Sequence, residues 1–115
     1  MQQFLVKLMF NIHIENGKNT SQFDEQIRMV ESQSFENAFQ KARSLGKKEE
    51  TTFLNHENKL VTWKFIDVVE LFPLGDFKDG EQLYSNSHDE QDAASYINYI
   101  RQKSMLIQTK SLTFA

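Results

Sequence analysis

Residues 4–15 read FLVKLMFNIHIE, and their alternation decides the fold. Phe4, Val6, Leu8, Phe10, Ile12 and Ile14 fall on one face, while Lys7, Asn11, His13 and Glu15 share the other with Leu5 and Met9. A period of two held over this length is a β-strand, because successive side chains of an extended chain point to opposite sides. One face is continuously apolar and the other mixed. That is the pattern of an antiparallel sheet with a core on one side and partial contact with water on the other.

Downstream of this strand, NGKNTSQ (16–22) is rich in turn residues, and 23–33 returns as a second strand carrying Ile27, Met29 and Val30. Ser34 is an N-cap with Glu36 in the first turn behind it, and Phe35, Ala38, Phe39, Ala42 and Leu45 recur at helical spacing. Lys41, Arg43, Lys47 and Lys48 gather towards the end of this helix, where cations complement its dipole. Gly46 is expected to stop or loosen it. A short strand at 51–56, a turn at NHENK (55–59) and a long strand at 60–72 follow, with Pro73 and Gly75 closing the last. KDG (78–80) turns the chain before EQLYSN (81–86), expected as a short final strand. Residues 89–104 read as a second helix, with Asp89, Glu90 and Asp92 at its start and Ala93, Tyr96, Ile97 and Ile100 along its apolar stripe. The tail SMLIQTKSLTFA (104–115) is apolar but has no decisive period. The expected fold is α+β: an antiparallel sheet of four to five strands, one helix packed on the Phe4-to-Ile14 face, and a C-terminal helix. A single domain spans 1–115, with 4–86 as its core and 88–115 as C-terminal helix and tail.

Composition narrows the chemistry. Ten Phe against one Pro and four Gly, within 39% hydrophobic and 25% charged residues, describe a chain that builds a packed core. The absence of Cys excludes thiol catalysis, disulfides and thiolate metal sites, and points to the cytoplasm. The start MQQFLVKLMFNIHIENG has the makings of neither a signal peptide nor a membrane span, since Lys7, Asn11 and His13 interrupt its apolar run. The net charge is −3, but residues 67–92 hold eight acids (Asp67, Glu70, Asp76, Asp79, Glu81, Asp89, Glu90, Asp92) and only Lys78 as a base, a local balance of −7. An acidic half opposes nucleic-acid binding. It is either a solvated surface or a surface for a basic protein partner.

The candidate site residues lie in the long strand. Val61, Trp63 and Phe65 alternate inward, and a regular continuation would turn Asp67, Val69 and Leu71 the same way. A single bulge near Ile66 and Asp67 would instead turn Val68, Glu70 and Phe72 inward. Either register aims one carboxylate at the apolar face, where it needs a partner: Lys64, Arg28, His13 or a backbone amide. His13, Lys64, Asp67 and Glu70 therefore form a candidate polar cluster. Trp63 and Tyr84, with Phe65, Tyr96 and Tyr99 as further aromatics, form a candidate ligand pocket as the alternative to plain core packing. His13, His56 and His88 lack the paired spacing of metal ligands, and the glycines are too scattered for a phosphate cradle. Ser87-His88-Asp89 holds triad residue types as sequence neighbours, the arrangement of a loop and helix cap. No cofactor or metal is expected.

Val6-Lys7-Leu8 in the first strand, Ala38 and Ala42 behind Ser34, and Gly46-Lys47 before Glu49-Glu50 make a recognisable series. Trp63-Lys64-Phe65 running to Glu70-Leu71, then Asp79-Gly80 before Leu83-Tyr84-Ser85, continue it. In these features residues 4–86 resemble the small bacterial domain-of-unknown-function family numbered 4288. The resemblance implies a fold and no catalytic residues. The helix and tail from 88 onward lie outside it.

The expected function is a non-enzymatic binding or interaction module, in one version an inhibitor or immunity-type protein whose acidic surface meets a basic partner. The alternative is a small ligand-binding protein or hydrolase using Asp67 or Glu70 with His13. Leu5 and Met9 on the mixed strand face, together with Met105, Leu106 and Ile107, lead to the expectation of a homodimer. No membrane partner is expected.

Overall fold

The computed structural model describes residues 1–17, 21–75 and 77–114, with side chains as far as Lys110. Lys18, Asn19 and Thr20 of the first turn and Asp76 of the acidic stretch lie outside the described residues. The elements are β1 (Gln2–Ile14), β2 (Gln22–Ser32), α1 (Phe35–Lys48), β3 (Thr51–Leu54), β4 (Leu60–Pro73) and α2 (Ala93–Phe114). They fall into two compact units, Met1–Tyr84 and Ser85–Ala115.

In the first unit four antiparallel strands lie in the order β2-β1-β4-β3. The opening stretch is thus an inner strand. Its even-numbered face forms the core: Phe4, Val6, Leu8 and Phe10 are buried with Val30, Ala38, Ala42 and Phe65, and Leu45, Trp63, Val68 and Leu71 pack around them. The helix α1 starts where the sequence places it, with the Ser34 hydroxyl accepting from the Asn37 amide at 3.1 Å. It lays its smallest residues on the sheet. Ala38, Ala42 and Gly46, one turn apart, are its buried positions, so the helix backbone comes close to the large side chains of β1 and β4. Gly46 does not end the helix, as its identity suggested. It sits inside α1 because a methyl group there would stand 2.3–2.6 Å from three atoms of the Phe65 ring. Close approach, and not chain termination, requires the glycine.

The long strand resolves its two registers in a third way. Opposite β1 it carries two irregularities, leaving Ile66 and Val69 without partners while Phe65 faces Phe10, Asp67 faces Met9, Val68 faces Leu8 and Glu70 faces Lys7. The first is the bulge expected at Ile66 and Asp67. The second, three residues on, reverses its effect, so Val68 and Leu71 both reach the core and Glu70 turns away from it. Neither carboxylate is aimed at the apolar face. The expelled residues Ile66 and Val69 are half exposed instead.

EQLYSN is not a strand, and the sheet has four strands. The Lys78–Gly80 turn forms, with Gly80 at φ 84° and the Glu81 amide bonded to the Lys78 carbonyl at 3.0 Å. After it, Tyr84 lies over a sheet face and not beside an edge. Its ring stands 4.2 Å from the Lys7 ammonium and edge-on to Phe72 at 5.9 Å.

In the second unit α2 begins later than expected and runs through the ambiguous tail. Asp92 caps it: its carboxylate accepts from the Ser95 amide at 3.1 Å and from the Ser95 hydroxyl at 2.8 Å. These bonds, the amide first, hold the Asp92 carboxyl below the usual aspartate range. His88 pairs with Glu90 at 3.3 Å and meets the Tyr96 ring edge-on at 5.3 Å, as part of the loop before the helix. No helix among the described residues is long and apolar enough to cross a membrane.

Candidate functional site

The face of the sheet turned away from α1 is built by the odd-numbered residues of β1 and β2. Register pairs Leu5 with Met29, Lys7 with Ile27, Met9 with Glu25 and Asn11 with Phe23. On β1, Leu5 and Lys7 are buried. On β2 the outcome is the reverse: Phe23, Ile27 and Met29 are 56%, 55% and 50% exposed. An alternating strand normally turns its apolar side inward, but β2 turns Asp24, Gln26 and Arg28 towards the helix side and its three large hydrophobes towards solvent. The polar side is satisfied internally. Gln26 donates to Asp24 at 2.9 Å and accepts from Arg28 at 2.8 and 3.2 Å, and Arg28 reaches Glu49 at the end of α1 at 3.3 Å.

Lys7 sits at the centre of the second face. Its ammonium donates to the Tyr84 hydroxyl and pairs with Glu25 at 2.9 Å. The Tyr84 hydrogen bond, opposed by burial and supported by Glu25, raises the Lys7 pKa above the ordinary lysine value. A cation with few exposed atoms is thereby held charged beneath an aromatic ring. The apolar stripe of β2 runs past this hub. At the far end of the sheet Leu54 and Leu60, paired across β3 and β4, add a smaller exposed apolar spot.

The strand register separates His13 from both carboxylates of the sequence-derived polar cluster. His13 faces Thr62, Lys64 faces Asn11, Asp67 faces Met9 and Glu70 faces Lys7. Four residues of strand separate the His13 and Asp67 positions, roughly 13 Å, and six separate His13 from Glu70, roughly 20 Å. The partner of Asp67 is none of those expected from side chains of the sheet. Arg43 of α1 clasps it with two hydrogen bonds of 3.0 Å, and the Val68 amide donates to it at 2.8 Å, the backbone partner that was expected. Arg43, ahead of the Val68 amide, lowers the Asp67 pKa below the usual aspartate value. Both side chains are nearly half exposed. They tie helix to bulge at the surface and do not form a desolvated acid. The two aromatics of the candidate pocket take opposite faces: Trp63 stacks against Phe10 on the core side at 6.0 Å, and Tyr84 covers Lys7 on the other. Among the described residues no group of three or more His, Asp or Glu side chains is arranged to hold a metal ion.

A cleft of about 890 Å³ opens at the end of the sheet, lined among others by Asn11, His13, Gln22, Asn55, Glu57 and Lys59. Amides and two opposite charges line it together with Ile12 and Ile14. Lys64, Asp67 and Glu70 are not among its lining residues. The exposed β2 stripe was hidden in the sequence because Ile27, Met29 and Val30 mark a strand without saying which side of it is buried. The alternation of Phe23, Glu25, Ile27 and Met29 against Asp24, Gln26 and Arg28 was the available signal.

No curated protein and no solved structure matches this chain. The family model described as Domain of unknown function (DUF4288) matches residues 3–85, which cover the sheet, α1 and the segment ending in Tyr84. The chain belongs to the DUF4288 family.

Proposed function

We propose that this chain is a non-catalytic protein-binding module that engages its partner through the second sheet face. The observation that carries the reading is the stripe of Phe23, Ile27 and Met29, each at least half exposed on one strand. Burying such a stripe is worth about 25 cal/mol per Å² of apolar area, and soluble surfaces keep contiguous patches of this kind for contacts. The partner we infer is basic around an apolar centre. The acid-rich segment 67–92 would draw such a partner in and speed the encounter. An inhibitor or immunity-type role is the specific form of this reading.

The test uses a photo-crosslinking residue at position 27 in living cells, with the same residue at exposed Gln40 of α1, across the sheet, as a control. The captured protein is then purified and titrated against the parent chain and Ile27→Glu. A partner that binds the parent, weakens with salt and loses affinity for Ile27→Glu supports the reading. Equal capture at both positions, or an affinity untouched by Ile27→Glu, overturns it.

A further inference from the structure

The two edges of the sheet are treated differently. The β4 edge is defended: β3 covers only its start, two bulges break its line, and carboxylates occupy its amides, Glu50 taking the Phe65 N–H at 2.9 Å and Asp67 the Val68 N–H. These are devices that keep an edge from templating another strand. Among the described residues the β2 edge has no bulge and no carboxylate on its amides, and only near its end is a backbone group taken, the Glu31 carbonyl by Lys41 at 2.8 Å. Over its eleven residues the pairing with β1 runs without a register shift, and it contains no Pro, Lys or Gly. A straight, unbulged edge strand presents a row of backbone donors and acceptors to a second chain.

We propose that two copies of this chain pair antiparallel through β2, about a two-fold axis at Gln26. The inference is independent of the partner proposed above. Two-fold antiparallel pairing sets residue i against residue j with a constant sum, and side chains stay on matching faces only if the axis passes through a residue. Four axes near the middle of the strand then compete. An axis at Glu25 puts that carboxylate against its own copy, and an axis at Arg28 does the same with the guanidinium. An axis at Ile27 sets Phe23 against Glu31 and Asp24 against Val30. The axis at Gln26 sets Asp24 against Arg28 on one face and Phe23 against Met29 on the other, with Glu25 against Ile27 as its one charged–apolar pairing where the Ile27 axis has three. The Asp24–Gln26–Arg28 hydrogen-bonded ladder is thus complementary to itself when run backwards. Like charges directly opposite destabilise a ladder, and opposite charges and apolar pairs stabilise it. Because the other edge is defended, pairing stops at two chains and yields one eight-stranded sheet. The apolar stripes of the two copies then meet across the axis.

The natural absence of Cys makes the register readable. Single variants Glu25→Cys, Gln26→Cys and Ile27→Cys are purified reduced, then oxidised, and the rate of disulfide dimer formation is compared. The expected result is fastest crosslinking for Gln26→Cys, since only residue 26 meets its own copy. Light scattering of the parent should give twice the 13.5 kDa chain mass. Asp24→Arg should raise the dimer dissociation constant about tenfold by turning two attractions into repulsions, and adding Arg28→Asp should restore it. Equal crosslinking rates at the three positions, a faster rate at 25 or 27, or a folded parent of single-chain mass overturns the proposal.

Discussion

Replacing Gly46 by Ala tests whether α1 is seated on the sheet by contact with Phe65. In an isolated helix the change would help, since Ala is better than Gly by about 1 kcal/mol. Here the new methyl carbon would lie 2.3 Å from Cε1, 2.4 Å from Cδ1 and 2.6 Å from Cζ of Phe65. Ordinary carbon contacts begin near ~3.5 Å, so the overlap exceeds about 1 Å along a whole ring edge. The ring has little room to retreat, because Phe65 is 9% exposed and its centroid is 5.6 Å from that of Phe10. Overpacking of this kind costs about 1–3 kcal/mol, and the upper part of that range applies to a rigid ring. After the helix gain is set against it, Gly46→Ala should destabilise by about 1–2 kcal/mol. For a unit of this size that lowers the melting midpoint by roughly 5–15 °C. Urea unfolding followed by the fluorescence of Trp63, the only tryptophan, measures it. Phe65→Leu in the same chain should return part of the loss, giving a clear coupling in the double-mutant cycle. A Gly46→Ala midpoint at or above the parent's would refute the reasoning, since it would mean that Gly46 is an ordinary helical glycine.

Asp67→Asn should move the midpoint at neutral pH much less than Gly46→Ala, because the Arg43 clasp is near half exposed. Its folded pKa is lowered, so whatever stability it contributes is present above the ordinary aspartate range and is lost as pH falls through the folded value. Parent and variant should converge in acid titrations followed by circular dichroism. Tyr84→Phe removes the hydroxyl acceptor of Lys7 and should cost about 1–2 kcal/mol in urea unfolding. The raised Lys7 pKa gives stability that is full below the unfolded lysine value and lost as pH rises through the folded one, so the variant's alkaline decline should be shallower than the parent's. A chain ending at Asn86, just past the first unit, should keep a cooperative Trp63 fluorescence transition, and a sloping, non-cooperative curve would count against that unit's independence.

The regular parts of this fold were legible wherever one physical pattern dominated. The alternation of 4–15, the Ser34 cap and the Asn55–Lys59 turn, whose Asn55 side chain accepts from Glu57 and Lys59, each rest on local chemistry that short sequences express. What escaped was non-local. Gly46 has two meanings in a sequence, helix stop or close approach, and only the position of Phe65 decides between them. The second bulge leaves no mark, since Val69 looks like any strand residue. The direction of β2 depends on how far α1 reaches across the sheet. With Asp24, Gln26 and Arg28 satisfying each other, the apolar side was free to turn outward. Expected partners for Asp67 were sought among sheet residues, while the cation that reaches it comes from the helix.

The paired bulges of β4 also bear on how this strand tolerates change in length. Struck from the text, Ile66 and Val69 leave Phe65-Asp67-Val68-Glu70-Leu71-Phe72, an unbroken in-and-out alternation. Each insertion sits in its own bulge, which absorbs the extra residue without turning its neighbours over. Losing either one with its bulge would shorten the strand by a residue and leave every remaining face as it is. Losing both would do so twice. Length variants of this domain should therefore gain or lose these two residues independently.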